Sequence, residues 1–146
     1  MKKTAVHTDQ APAALGPYSQ GIRVGDTVYI SGQLGLVPAT GTLPETIDEQ
    51  AHQAFKNIRA IAQAAGGDLD GIVKLTLLMA DLNDFAKVND IMTTYFTAPY
   101  PARATYQVAA LPKAGRIEVE AVLVLPSMAP SAQTGWRETF DATKAA

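Results

Sequence analysis

One complete helix is written out between Thr46 and Gly67, and it constrains this chain more than any other feature. Thr46-Ile47-Asp48-Glu49 is a capping-box pattern, in which the threonine takes an orphan N–H and the glutamate reaches back. From there Ile47, Ala51, Ala54, Phe55, Ile58, Ile61, Ala62 and Ala65 recur at helical spacing, so one face is apolar throughout. Gly66-Gly67 stops the helix. A helix with a single apolar stripe needs a surface to cover, and the rest of the chain supplies strands. Ser19–Val24 and Thr27–Gln33 read as strands flanking Gly25-Asp26, a tight hairpin signal. Leu34–Glu45, with Gly35, Pro38, Gly41 and Pro44, reads as a loop. Gly71–Ala80 reads as a buried strand. A second helix is expected over about Asp84–Phe96, with Phe85, Val88, Met92 and Phe96 on one face and Pro99 and Pro101 closing it. Arg103–Ala109 and Arg116–Leu125 alternate as strands.

The expected order is therefore ββαβαββ, with room for one more strand near the N-terminus. Two helices cannot cover both faces of such a sheet, so one face must meet solvent or another subunit. The length of 146 residues suits a single domain. Past Pro126 the composition turns to Ser, Ala, Pro and Gln; Pro126–Gly135 reads as a linker. Trp136 and Phe140, four apart, form a ridge if a short terminal helix follows; a frayed tail is the ordinary alternative.

Several chemistries are excluded or disfavoured early. Cysteine is absent, which removes disulfides, thiol nucleophiles and Cys-ligated zinc. The only histidines, His7 and His52, are far apart, which argues against a multi-His metal site. The formal charge is −2 and the cations are scattered, so nucleic acid is not an expected partner. No secretory signal or membrane-length apolar stretch is read, and a cytoplasmic protein with no membrane partner is the expectation.

Few residues invite chemistry. Arg103 opens a strand after Pro101-Ala102, and a guanidinium fork there can hold a carboxylate; a surface arginine in a weak ion pair is the commoner case. In Arg116-Ile117-Glu118-Val119-Glu120-Ala121-Val122, alternation places Glu118 and Glu120 on one strand face, roughly 7 Å apart, opposite an apolar face. Paired carboxylates suit acid–base work or a metal, although a solvated strand face is the usual meaning. Tyr18, in the Gly16-Pro17-Tyr18 turn, can flank a ligand or simply pack. Ser31-Gly32-Gln33 ends a strand where backbone N–H groups can meet an anion, or where a loop merely begins. Gly32 and Gly35 make no phosphate-binding fingerprint, because no helix opens beside them. His52 reads as a solvated helix histidine.

Taken together, these segments resemble one family. Ala11-Pro12-Ala13-Ala14-Leu15-Gly16-Pro17-Tyr18-Ser19-Gln20-Gly21, Ile30-Ser31-Gly32-Gln33, Asp81-Leu82-Asn83-Asp84-Phe85 with Val88-Asn89, Pro101-Ala102-Arg103, Val108-Ala109-Ala110-Leu111-Pro112-Lys113 and Ile117-Glu118-Val119-Glu120-Ala121 follow in order and register. They resemble the signatures of the reactive intermediate deaminase (Rid, YjgF-type) family over about residues 4–125. The resemblance implies an α+β, chorismate-mutase-like fold: a mixed β-sheet with two helices on one face, in a homotrimer with a site in each subunit cleft. It assigns 1–126 to that domain and leaves 127–146 as an extension of unknown role. It also implies hydrolysis of 2-aminoacrylate-type enamines and imines to 2-keto acids and ammonia, with no cofactor and no metal. Within it, Arg103 matches the substrate-binding arginine and Glu118 the water-positioning glutamate. Tyr18, Ser31, Gly32 and Asn89 match other pocket positions. Thr105, also expected to bind substrate, stands where many members have a cysteine; its hydroxyl can still bond a ligand or water, and the subgroup is left open.

A simple hairpin of the last two strands would put Arg103 and Glu118 near opposite ends, well over 10 Å apart. Either those strands are not neighbours, or the two residues act across a subunit boundary. Three other readings stay in view. One is a regulatory trimer that only holds a small carboxylate. Another is a deaminase of a dedicated intermediate such as 2-aminomuconate. The last is a ribonuclease, which would want a basic groove with stacking aromatics.

Overall fold

The computed structural model describes residues 2–126; the Trp136–Phe140 ridge and the linker expected before it lie outside the described residues. Six strands form one sheet: β1 (Lys3–Val6), β2 (Gly21–Val24), β3 (Thr27–Leu34), β4 (Ile72–Met79), β5 (Ala102–Gln107) and β6 (Ile117–Val124). Their spatial order is β1-β2-β3-β6-β4-β5. Every neighbouring pair is antiparallel except β4 and β5. The helices are α1 (Ile47–Ala64), between β3 and β4, and α2 (Phe85–Met92), which makes the crossover that a parallel pair requires. β1 is the extra strand for which the sequence left room.

α1 forms where its signals place it. Thr46 Oγ1 accepts from the Glu49 backbone N–H at 3.1 Å, a cap worth about 1 kcal/mol. The Glu49 carboxylate differs from expectation: it accepts from the Thr46 hydroxyl at 3.0 Å instead of the threonine N–H. At the far end Gly66 takes φ +101. Its N–H and that of Gly67 bond to the carbonyls of Gln63 and Ala62, both at 3.0 Å, which is a Schellman stop.

α2 is shorter than the apolar spacing predicts. The Thr93 and Thr94 hydroxyls donate to the carbonyls of Asp90 and Ile91 at 2.6 and 2.7 Å, competing with the helical ladder. The chain then continues in tight turns, and Phe96 is still buried although it stands beyond the helix. Ser19 and Gln20 likewise fall outside the strand expected to begin at Ser19.

The core lies on the helix-covered face. Val28, Ile30, Leu75, Leu77, Val119 and Leu123 from the sheet meet Ala54, Phe55, Ile58 and Ile61 of α1 in one buried cluster. Each such aliphatic side chain contributes about 1.5–3 kcal/mol relative to exposure. On the opposite face, Tyr29, Tyr106 and Val124 remain exposed. That is the bare face the helix count required.

Candidate active site

The sheet register decides where the chemical side chains can act. Arg103 pairs with Leu75, and Leu75 with Ala121, both buried, so Arg103 rises from the helix-covered face. Glu118 pairs with Leu78, and Leu78 with Tyr106, so Glu118 rises from the bare face. Arg103 therefore lies two strands across and three residues along from Glu118, about 14 Å away between Cα atoms and on the other side of the sheet. β5 and β6 are not neighbours, which removes the hairpin alternative. Each residue opens onto a cleft of its own.

The Arg103 cleft, of about 480 Å³, is lined by Asn89, Met92, Thr93, Tyr100, Pro101 and Arg103. The guanidinium donates to Asn89 Oδ1 at 2.6 Å and to Met92 Sδ at 3.5 Å. Its carbon sits 5.1 Å from the centroid of the Phe85 ring, within cation–π range. Among the described residues no carboxylate pairs with it, so the surface ion pair considered from sequence is not formed. Neutral partners leave the positive charge available to an anion. Thr105 shares the face but is not among the cleft-lining residues. Among the described residues its hydroxyl is buried with no hydrogen-bond partner, a state that costs about 1–3 kcal/mol.

The Glu118 cleft, of about 650 Å³, gathers Tyr18, Ser31, Gly32, Lys113, Glu118 and Glu120. Gly32 stands at an irregularity in the β3–β6 pairing. A Cβ there would collide with the Glu118 carboxylate, so Gly32 is the space in which that group lies. The Ser31 hydroxyl donates to the Ser19 carbonyl, and its N–H to the Gln20 carbonyl at 2.9 Å. Those bonds hold the Gly16–Gln20 turn that presents Tyr18. The Glu118 carboxyl is pushed above its ordinary pKa, first by burial and then by the charge of Glu120. At the rim, Leu15 and Tyr18 are 82% and 53% exposed, an uncovered apolar edge.

One wall of this cleft is strained. Lys113 and Ala114 have φ of 57 and 55, and the Gly115 N–H closes onto the Pro112 carbonyl at 3.0 Å. This is a type I′ turn, a geometry usually filled by Asn-Gly. Here both central residues carry a Cβ, at about 1–2 kcal/mol each.

Three amides that support the site escaped the sequence reading. Gln20, 2% exposed, accepts from Thr8 N–H at 2.8 Å and donates to the carbonyls of Thr8 and Pro12, both at 2.9 Å. It thereby folds the N-terminal segment over the cleft. Asn57 donates to the carbonyls of Leu34 and Leu36 at 3.1 and 2.9 Å, and Gln50 accepts from the Arg116 N–H at 2.9 Å. Gln50 and Asn57 were detectable, because with Ile47, Ala54 and Ile61 they complete the buried stripe of α1. Gln20 carries no such signal. His52 is not merely solvated: its Nδ1 lies 2.8 Å from the Tyr95 hydroxyl.

A family model described as Endoribonuclease L-PSP matches residues 8–125. A 2-iminobutanoate/2-iminopropanoate deaminase of Bos taurus is 56% identical over 120 residues, 82% of this chain and 88% of that protein. Among solved structures, RidA from Psychrobacter sp. PAMC 21119 is 52% identical with a TM-score of 0.82, covering 84% of this chain and 99% of that one. E. coli TdcF with bound serine is 40% identical with a TM-score of 0.82, at the same coverage of 84% and 99%. With the family model, the sequence relatives and the fold in agreement, the chain belongs to the reactive intermediate deaminase (Rid, YjgF-type) family.

Proposed function

We propose that this protein hydrolyses small 2-imino acids, such as 2-iminopropanoate and 2-iminobutanoate, to 2-keto acids and ammonia. The observation that carries this reading is a division of labour. A cation on neutral supports faces one cleft, and a carboxylate raised toward neutrality faces another. The Arg103 fork takes the substrate carboxylate and orients C2. Glu118 accepts a proton from water as its oxygen attacks C2 of the C=N bond. It returns that proton to nitrogen; the hydroxyl proton of the tetrahedral adduct then passes to the amine, and ammonia leaves as the C=O bond forms. A carboxyl with a raised pKa is better matched to both transfers near neutral pH. Tyr18 supplies a wall, and Asn89 holds Arg103 ready. Serine, bound in the TdcF relative, is likewise a small molecule bearing a carboxylate.

One chain cannot bring Arg103 and Glu118 onto one substrate through its own sheet. The complete site therefore combines the Arg103 cleft of one subunit with the Glu118 cleft of the next, in a homotrimer. The bare face and the uncovered Leu15 and Tyr18 support that assembly. We place its action in the cytoplasm. The ribonuclease reading gains nothing from a cleft that sets Glu118 and Glu120 against Lys113.

Co-expression of Arg103→Ala and Glu118→Gln chains tests both ideas. Each variant alone should be inactive on 2-iminopropanoate generated from serine by a dehydratase. In randomly mixed trimers about a quarter of the sites should regain both residues, and activity should return to that extent. A mixture as inactive as its parents would exclude the shared site. A wild type that does not accelerate imine loss would overturn the deaminase reading and favour a carboxylate-binding role.

A further inference from the structure

We propose that the Asp84–Arg116 ion pair is a positioning strut for Arg103, setting where α2 lies and hence where the guanidinium is held. This rests on the reading that Arg103 takes the substrate carboxylate. Asp84 immediately precedes α2 and makes no side-chain cap bond. Asp81 is the extended cap of the helical run that begins at Leu82, and Asp84 ends that first turn at φ −85, ψ 1 and not in cap geometry. The Asp84 Oδ2 meets Arg116 Nη2 at 2.9 Å, with the aspartate side chain 12% exposed. Local capping is left to Asp81, which accepts from Asn83 N–H at 2.9 Å, and to Gln107, which accepts from Leu82 N–H at 3.0 Å. With the turn capped by those two residues, the Asp84 carboxylate reaches a distant strand end.

The other end of the strut is fixed independently. The Arg116 N–H donates to Gln50 Oε1 at 2.9 Å, and its carbonyl accepts from Ala80 N–H at 3.1 Å. Gln50 is itself buried and tied to the Pro44 carbonyl at 2.8 Å. Arg116 stands immediately before β6, two residues from Glu118. Asp84 stands immediately before Phe85, whose ring lies under the Arg103 guanidinium, and one turn further on is Asn89, its hydrogen-bond partner. α2 spans only eight residues, too few to hold its place by helix propensity. The pair thus references the arginine support to the start of the glutamate strand, joining the two clefts of one chain.

The test uses the full chain with four variants: Asp84→Ala, Asp84→Asn, Arg116→Met and Arg116→Lys. KM and kcat are measured on 2-iminobutanoate, Kd on 2-oxobutanoate, and thermal unfolding on each variant. Asp84→Ala and Arg116→Met should raise KM and Kd about tenfold while kcat falls by less than about threefold, because the carboxylate anchor shifts and the base does not. Arg116→Lys, which keeps the cation, should restore most of the loss. Lower melting temperatures with KM and Kd within about twofold of wild type would overturn the strut and leave the pair a stabilising contact. Equal losses in kcat with KM unmoved would also overturn it. Should Asp84→Ala fail to fold, Asp84→Asn and Arg116→Met carry the same comparison. A wild type that neither hydrolyses the imine nor binds the oxo acid would overturn the reading of Arg103, and the strut with it.

Discussion

The two clefts of this chain are built by opposite means. Around Arg103 the support is neutral: an amide oxygen, a thioether and an aromatic face hold the guanidinium without cancelling its charge. Around Glu118 the support is costly. The carboxylate is desolvated, a second carboxylate stands on the same face, and a type I′ turn with two side-chain-bearing residues closes the wall. A guanidinium keeps its charge at any relevant pH, so an anchor needs only orientation. A base must be made uncomfortable before its pKa becomes useful, and the rigid sheet absorbs that cost.

Breaking the glutamate side should have the largest effect. Glu118→Gln should lower turnover by about 10²–10⁴-fold. It should also raise the melting temperature at pH 7. Because the Glu118 pKa is raised on folding, the native state binds the proton more tightly than the unfolded chain does. Stability therefore falls as pH climbs from the ordinary carboxylate range through the raised value, and the deficit persists above it. The melting curves of wild type and Glu118→Gln should converge at low pH and separate at neutral pH. Equal stability at pH 7 would break the contrast between the clefts.

Gly32→Ala should come next, with a loss of about 100-fold in kcat/KM, because the new methyl displaces the carboxylate by the order of an ångström. Its melting temperature should move little, since the colliding group ends a flexible side chain. Full activity would mean that Glu118 does not work from the position it occupies.

Thr105→Val sharpens the comparison from the arginine side. Removing the unpaired hydroxyl should stabilise the protein by about 1 kcal/mol in urea unfolding. A matching loss of activity would show that this side, too, holds a cost for function. Ala114→Gly should be the smallest effect, a gain of about 0.5–1 kcal/mol, the relief of left-handed strain less the entropy of glycine. No gain would mean that the turn is not strained by its side chains.

Much of this was legible in particular residues. Thr46, Glu49, Gly66 and Gly67 mark both ends of α1 because caps and stops depend on local backbone groups. The alternation from Ile117 to Val124 separates Glu118 and Glu120 from the core because side chains alternate across a strand. Thr93 and Thr94 shortened α2 against its apolar spacing, since hydroxyl competition for carbonyls leaves no trace in periodicity. Gly32 pointed to the right place for a different reason: sequence suggested an anion among N–H groups, and the structure shows room for a carboxylate.

The sequence by itself determined the elements, their boundaries to within a few residues, the need for an uncovered sheet face, and the motif residues of the family. These follow from bonds and periodicities that span a turn or two of chain. Only the tertiary structure decided that β6 inserts between β3 and β4, and that Arg103 and Glu118 stand on opposite faces. It alone brought Asp84 to Arg116. Strand order and register are set by the mutual burial of segments far apart in the chain, and no local pattern encodes which strand lies beside which.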